Sequence, residues 1–275
     1  MQASDSQAVP LPDEVMRLDL SHCDQIAFLS DVHLEVNHRS TYQAWAGYLQ
    51  SLQADALFIL GDLFEVWLGD DILQHPSADF ERTCLAHIYA VSQRMPVYWM
   101  VGNRDFLLDA QACTTAGMTP LTDPCVVTVF EQHWLLSHGD VLCLDDKAYQ
   151  AYRREIRSNE WMQRLKSTSL NDRMLLAKEL QAQSQLSKLQ NTLWADVDDH
   201  AASQWLETTQ TEVLIHGHTH RPQDHQLGPL HRRIVLSDWD ANANPQRLQS
   251  MLWTSKQGFT RQSLSQPNIN VAKAP

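Results

Sequence analysis

Short apolar runs alternate with helix-compatible stretches along the first half of the chain. The apolar runs cover residues 26–30, 56–61, 97–101, 126–130, 134–137, 213–216 and 234–237. Between the first three, apolar residues recur every three or four positions over 42–53 and 78–95, which predicts helices. Strands that alternate with helices indicate an α/β fold, and continuously apolar strands indicate a sheet covered on both faces.

The second half of the chain follows a different pattern. From Cys125 onward the predicted strands lie closer together, which favours antiparallel pairing or a second sheet. Residues 147–205 show no strand pattern and are interpreted as a helical insertion. The core is therefore expected over 24–146 and 206–258, with a loose leader over 1–23 and a mobile tail over 259–275.

Composition and charge exclude several classes of protein. The chain has 275 residues, 43% of them apolar, which suffices for a globular core. Its net charge of −12 argues against a nucleic-acid binder, which normally presents a basic surface. No apolar run approaches the ~20 residues that span a bilayer, and the first residues lack a secretory signal pattern. Five cysteines without CxxC spacing indicate reduced thiols in a cytoplasmic protein.

The predicted insertion has a charge balance of its own. Residues 147–188 carry nine basic and four acidic side chains, interleaved with leucine and methionine. One interpretation is an ordinary amphipathic helical pair with a solvated face. The other is a cap that handles an anionic, apolar ligand or lies on an anionic membrane surface.

Side chains of the types that commonly bind metals close or follow five of the apolar runs. The segments are Ser30-Asp31-Val32-His33, Gly61-Asp62-Leu63-Phe64-Glu65, Gly102-Asn103-Arg104-Asp105, Ser137-His138-Gly139-Asp140 and His216-Gly217-His218-Thr219-His220. In open α/β sheets, ligands bind at the carboxyl ends of the strands. A single DxH or HxH is weak evidence, but five such segments, each closing a strand, predict one shared cleft.

The side-chain types indicate the chemistry of this cleft. Asp, Asn and His offer oxygen and nitrogen donors without thiolate, which suits manganese, iron, zinc or magnesium. One ion could take Asp31, His33 and His220, the other could take Asn103, His138 and His218, and Asp62 could bridge both. Two cations about 3.5–4 Å apart can clamp a phosphoryl oxygen and lower the pKa of a shared water towards ~7. The GxSxG, HExxH and Walker patterns are all absent.

These motifs, in this order, resemble the calcineurin-like metallophosphoesterase superfamily. Within it, LGDLFEVWLGDD, GNRDFLL, SHGDVLCLDDKAYQAYR and IHGHTHRP are similar to the UDP-2,3-diacylglucosamine pyrophosphatase family of lipid A synthesis. The resemblance extends from about residue 26 to 239. The metal motifs are shared across the superfamily, whereas LFEVWLGDD, NRDFLL, LCLDD and the basic insertion point to this branch.

The resemblance implies a four-layer α/β/β/α sandwich with a helical lid. It also implies two manganese ions, held by Asp31, His33, Asp62, Asn103, His138, His218 and His220. Metal-bound hydroxide would attack the α-phosphorus of UDP-2,3-diacylglucosamine, giving UMP and 2,3-diacylglucosamine 1-phosphate. The protein would be cytoplasmic and peripherally associated with the inner membrane, with no nucleic-acid partner and no required oligomer.

The family pattern also implies substrate contacts. They would come from Asn103, Arg104, Asp146, Ser184, Lys188, Asn191 and His218. Arg104 stands where many phosphoesterases carry a histidine, and its planar guanidinium suits a clamp on phosphate oxygens. Asp105 is expected to orient His138, as carboxylates commonly do for metal-bound imidazoles.

The chain departs from the family pattern in two places. Val101 replaces the family's histidine before Gly102, and the Asn and Lys of the insertion contacts are swapped at Lys188 and Asn191. Two alternatives stay open: a phosphodiesterase or nucleotide pyrophosphatase with a water-soluble substrate, and a non-catalytic scaffold of the same fold. His216 is interpreted as a packed or supporting histidine, and Glu65 as a helix-start cap.

Overall fold

A computed structural model describes residues 9–178 and 195–264 and shows an α/β protein with two six-stranded sheets. The strands are β1 Met16–Asp19, β2 Gln25–Leu29, β3 Ala56–Leu60, β4 Val97–Met100, β5 Met118–Leu121, β6 Cys125–Val129, β7 Gln132–Leu136, β8 Val213–His216, β9 Asp224–Leu227, β10 His231–Val235, β11 Gln249–Thr254 and β12 Gly258–Ser263. The helices are α1 Arg39–Ser51, α2 Asp79–Ser92, α3 Ala110–Ala116, α4 Lys147–Ile156, α5 Asn159–Ser167, α6 over 170–178 and α7 Asp199–Thr209. The predicted α/β class is confirmed.

The two sheets pack face to face, with helices on both outer sides. One sheet has the strand order β12-β11-β2-β3-β4-β5 and the other β1-β6-β7-β8-β10-β9. Phe28 of the first sheet and Trp134 of the second meet between them, with ring centroids 6.1 Å apart. Helices α1, α2 and α3 cover the first sheet, and α7 covers the second. The result is the expected four-layer α/β/β/α sandwich.

Parallel pairing brings the functional segments to one edge of the sandwich. Strands β2, β3 and β4 are parallel neighbours, and β7 pairs in parallel with β8. Nearly every residue of β2 and β3 is buried, because helices cover one face and the second sheet covers the other. The carboxyl ends of these strands therefore open onto a common cleft, as the motif positions predict.

The core extends beyond its predicted bounds at both ends. Met16–Asp19, placed in the loose leader by its polar composition, forms β1 and pairs in parallel with β6. At the other end, Gly258–Ser263, placed mostly in the tail, forms β12 and pairs with β11. Both strands lie at a sheet edge and are half exposed, so their sequences lack the continuous apolar run that marks the central strands.

The predicted insertion is helical wherever the structure describes it, but its second boundary is wrong. Helix α7 begins at Asp199, inside the predicted insertion, yet its Ala202, Trp205 and Leu206 pack on the second sheet. The helix therefore belongs to the core. Among the described residues, no helix combines the length and apolar character that a bilayer crossing requires.

Several basic side chains of the insertion face the core. Arg153 donates to Asp140, Arg157 donates to the carbonyl of Gly102, and Arg173 pairs with Asp71. Three of the nine basic groups in this segment thus attach the insertion to the core. Neither sequence interpretation, a solvated face or a surface for an anionic ligand, describes these three.

Candidate metal centre

The seven predicted ligands lie in the turns that follow β2, β3, β4, β7 and β8. Five of them have positive backbone φ angles between 51° and 65°: Asp31, His33, Asp62, His218 and His220. Non-glycine residues rarely adopt this conformation, and when they do the strain is held by surrounding structure. Hydrogen bonds across the turns supply that support, for example from the amide of Asp31 to the carbonyl of Gly61 (3.1 Å).

A first cluster joins Asp31, His33 and His220, whose candidate donor atoms lie within 4.8 Å of one another. Nε2 of His33 is 3.2 Å from Nε2 of His220, and the latter nitrogen is 3.4 Å from Oδ1 of Asp31. The backbone amide of His218 donates to the Asp31 carboxylate. Two imidazole nitrogens and a carboxylate oxygen therefore point at one position, the set predicted for one ion.

A second cluster joins Asp31, Asp62 and His138, and all three are buried. Nε2 of His138 lies 3.7 Å from Oδ1 of Asp62 and 3.0 Å from the amide oxygen of Asn103. The same Asn103 oxygen is 2.8 Å from Nδ1 of His218. All seven predicted ligands are thus brought together. Asp31 belongs to both clusters, whereas the prediction assigned the bridge to Asp62 alone.

The orientation of two imidazoles is fixed by the nitrogen that faces away from the cleft. Nδ1 of His138 lies 2.9 Å from the carbonyl oxygen of Leu60 and acts as donor, so in the neutral imidazole Nε2 has its lone pair directed into the site. Nδ1 of His33 lies 2.9 Å from Oε2 of Glu65. Metal-bound histidines usually show this arrangement, in which a carbonyl or carboxylate holds the second nitrogen.

The buried charges shift the pKa values of the cluster in opposite directions. Burial alone would lower the pKa of His138, but the carboxylates of Asp62 and Asp31 outweigh it and raise the pKa to about 9. Burial and the charge of His138 lower the pKa of His218 to about 4. Burial alone would raise the pKa of Asp31, yet its contact with His220 brings it well below the ordinary value.

Two glycines allow the turns to approach so closely. A side-chain carbon at Gly102 would overlap the Asp62 carboxylate and backbone amide. One at Gly217 would overlap the Asp31 carboxylate and the Ser30 hydroxyl. These glycines are required by the close packing of the ligand turns around the cleft.

The donor set fits a pair of hard or borderline divalent cations. It contains only carboxylate and amide oxygens and imidazole nitrogens, a combination that suits manganese, iron, zinc or magnesium. The close approach of His33 Nε2, His220 Nε2 and an Asp31 oxygen is the geometry expected of ligands that converge on one cation. The shared Asp31 places the second cluster directly beside the first.

The structure describes four of the predicted substrate residues, of which Asn103 and His218 lie in the cluster itself. Arg104 lies beside the cluster, with Nη1 3.4 Å from Glu65, while its backbone amide donates to Asp62. Asp146 is exposed and caps α4 by accepting from the amide of Tyr149 (2.9 Å). Three predicted contacts, Ser184, Lys188 and Asn191, lie outside the described residues and stay predictions.

Asp105 does not contact His138 as expected. Its oxygens accept from the backbone amides of Gly102 (2.9 Å) and Leu63 (2.8 Å). Burial, together with the charge of Asp62, raises the pKa of Asp105 to about 6. The Asp105 carboxylate therefore joins the turns that carry Asp62 and Asn103. The role predicted for Asp105, orienting His138, belongs to the carbonyl of Leu60.

Glu65 is the supporting residue that sequence reasoning assigned wrongly. It was interpreted as a helix-start cap near the site, but no helix begins there and its carboxylate contacts His33. The spacing of three residues from Asp62 was the available signal. His216 agrees with its interpretation: it is fully buried, and burial and Arg233 lower its pKa to about 3.

The comparisons with known proteins agree with this geometry. A family model described as calcineurin-like phosphoesterase matches residues 25–222. A "UDP-2,3-diacylglucosamine hydrolase" of Shewanella halifaxensis is 39% identical over 77% of this chain and 89% of its own length. Proteins with the same name from Shewanella baltica and Histophilus somni are each 37% identical, over 86% and 84% of this chain and 96% and 97% of theirs. A solved archaeal phosphodiesterase is 10% identical, covering 88% of this chain and 99% of that one with a TM-score of 0.44.

Proposed function

Because this chain belongs to the calcineurin-like phosphoesterase family and, within it, to the UDP-2,3-diacylglucosamine hydrolases, we propose that it hydrolyses the pyrophosphate of UDP-2,3-diacylglucosamine in lipid A biosynthesis. The products are UMP and 2,3-diacylglucosamine 1-phosphate. One water is consumed, and one P–O bond of the anhydride is broken.

One observation carries this proposal. Relatives named UDP-2,3-diacylglucosamine hydrolase are 37–39% identical to this chain over 89–97% of their own length. The site supports it, because all seven candidate ligands converge on one cleft. A scaffold that used the fold only for binding would have no need of this donor set. The distinctive family segments LFEVWLGDD and NRDFLL, which carry Glu65 and Arg104, lie in the turns that form the cleft.

We assign one metal position to the first cluster, the other to the neighbouring side chains around His138, and the metal to manganese. Asp31, His33 and His220 would hold one ion, Asn103, His138 and His218 the other, and Asp62 would bridge them. When bound, such a pair polarises a phosphoryl oxygen and lowers the pKa of bound water. Leu60 and Glu65 keep the ring nitrogens of His138 and His33 directed at these positions.

Arg104 places a positive charge beside the diphosphate of the substrate. Its guanidinium is permanently charged and can engage two phosphate oxygens, which stabilises negative charge developed in the transition state. It is held next to the cluster by the hydrogen bond from its own amide to Asp62 and by Glu65. The exposed Asp146, at the start of α4, is assigned to the sugar side of the substrate.

The acyl chains of the substrate require access to a lipid surface. Leu175 on α6 is 60% exposed, and the insertion around it is rich in leucine and methionine. This supports peripheral association with the cytoplasmic face of the inner membrane. Co-sedimentation with vesicles of anionic phospholipid tests this part, and a protein that stays in the supernatant at low salt contradicts it.

The deciding assay uses UDP-2,3-diacylglucosamine in detergent with Mn²⁺, in ¹⁸O-labelled water. The expected result is metal-dependent turnover with the label in UMP, which identifies the α-phosphorus as the point of attack. Label in the sugar phosphate instead would move the attack to the β-phosphorus.

The Asp62→Asn variant is the matched control because it keeps the side chain's size and removes one negative charge. It should lose turnover, and an inert parent would contradict the proposal. Equal turnover of UDP-sugars that lack acyl chains would favour a phosphodiesterase with a soluble substrate.

A further inference from the structure

One face of α4 is attached to a single buried carboxylate in the core. Asp140, two residues after His138, is fully buried. Its Oδ2 accepts from the hydroxyl of Tyr149 (2.6 Å) and from Nε of Arg153 (2.7 Å). Gln150 donates to the Asp140 main-chain carbonyl (2.7 Å). Positions 149, 150 and 153 lie on one side of the helix, so that whole side is bound to this residue.

The same helix reaches two other turns of the metal centre. Arg157, directly after α4, donates to the carbonyl of Gly102 (2.9 Å), next to Asn103. The ring centroid of Tyr149 lies 5.7 Å from that of His218. Helix α4 is therefore a wall of the cleft, and the exposed Asp146 caps the N-terminus of that helix one turn before Tyr149.

We infer that Asp140 is a positioning residue, which holds α4 against the metal centre so that Asp146 and Tyr149 are placed to receive the sugar of the substrate. The inference deepens the proposed function and rests on it. Asp140 is buried behind α4 and acts on the substrate only indirectly, through Tyr149 and Arg153.

The chemistry of the contact favours a fixed wall over a mobile one. A buried carboxylate is stable only when cations and donors surround it, and here Arg153 and Tyr149 supply both. Moving α4 away would leave the carboxylate buried without these partners. The part of the insertion that begins at α4 is thus held in place at its base before any substrate arrives.

The test compares Arg153→Met with Arg154→Met. Both remove one positive charge from α4, but Arg154 is exposed and Arg153 faces Asp140. Three quantities are measured on the full chain: KM and kcat for UDP-2,3-diacylglucosamine, the Kd for Mn²⁺, and hydrogen exchange of the α4 amides. Asp140→Asn is a second variant with the same readouts.

The expected result for Arg153→Met is a KM raised about 10- to 100-fold, because small displacements of a positioning element are costly. The kcat and the Mn²⁺ Kd stay within about threefold of the parent, and the α4 amides exchange faster. Arg154→Met behaves as the parent in all three.

Two results would overturn the inference. An unchanged KM in Arg153→Met, despite faster exchange of α4, would show that the contact is only structural. A weakened Mn²⁺ affinity in parallel with a lower kcat would show that Asp140 acts through His138 instead. A parent that turns over no UDP-2,3-diacylglucosamine would overturn the proposed function itself, so the two failures are distinguishable.

Discussion

Glu65 Oε2 lies 2.9 Å from Nδ1 of His33, and the other nitrogen of this ring lies 3.2 Å from Nε2 of His220. The carboxylate therefore determines which nitrogen of His33 is available to a metal. The contact with Glu65 also raises the pKa of His33. Burial lowers this pKa and is the largest single effect, yet the pKa is raised overall. A carboxylate in this position makes the imidazole a better ligand.

Replacing Glu65 by glutamine should weaken binding of Mn²⁺ about 10- to 100-fold, the usual cost of removing such a partner. The amide keeps the size of the side chain but loses the charge that supports His33. Isothermal titration of the metal-free protein with Mn²⁺ measures the effect. Glu35→Gln is the control, because the described partners of Glu35 are the nearby His38 and Asn37. Parent-like affinity in Glu65→Gln would show that the contact does not tune the metal.

The Gly217→Ala variant should lose the first metal position while the protein stays folded. The added methyl group would overlap the Asp31 carboxylate and Ser30, so the turn must move away from β2. The bound manganese, counted by elemental analysis after dialysis, should fall by at least one ion per chain. Far-UV circular dichroism should match the parent.

Gly228→Ala is the comparison for this substitution. A side chain there meets nothing within 4 Å, although the φ angle of +75° makes alanine strained. It should cost about 1–2 kcal/mol of stability, the usual penalty for a side chain in the left-handed region, and should not change the metal content. If Gly217→Ala retained the parent's metal content, the described closeness of the two turns would be wrong.

Metal binding should release protons at neutral pH. His138 has a pKa of about 9 in the metal-free site because Asp62 and Asp31 favour its charged form. A metal ligand must be neutral, so at pH 7.5 the imidazole gives up a proton when the cation binds. The apparent affinity should therefore rise as pH increases towards about 9, by up to tenfold for each pH unit per proton released.

Calorimetry in two buffers with different ionisation enthalpies checks this proton release. The difference between the observed enthalpies gives the number of protons, expected to be about one or more from this site. Identical enthalpies in the two buffers would mean that His138 is already neutral before the metal arrives.

Trp134→Ala should destabilise the fold by about 3–5 kcal/mol, the range for large aromatic side chains removed from a core. Trp134 is fully buried between the sheets and packs on Trp253 at 5.0 Å between ring centroids. Urea unfolding in the presence of EDTA measures the change without a contribution from bound metal. Tyr89→Ala, at a position 48% exposed, should change stability by no more than about 0.5 kcal/mol. A small effect at Trp134 would indicate that the sheets repack around the cavity.

The candidate site was largely predictable because each ligand closes a central strand. Asp31, Asp62 and His138 follow runs of continuously buried residues, and the position of those runs was evident from their apolar character. The edge strands were not. In β1, Met16–Asp19, the alternating pattern is short, and only pairing with β6 makes it a strand.

Partners of charged side chains were the least predictable feature. Asp105 was expected at His138 but binds the amides of Gly102 and Leu63. Asp70 accepts from Trp67 and from amides at the start of α3, and Asp71 pairs with Arg173. The contact of Asp70 with Asp109 and that of Asp71 with Arg173 join positions 39 and 102 residues apart, and no local pattern encodes which donor will be nearest.

The sequence alone predicted the kind of fold, the side chains that meet in the cleft and the chemistry that such side chains can support, because apolar periodicity and donor type are properties of local residues. Tertiary structure alone decided which nitrogen of each histidine faces the cleft, that Asp31 is common to both clusters, and that α4 is held by Asp140. Those outcomes depend on distances of a few ångströms between segments far apart in the chain, and such distances exist only once the sheets have packed.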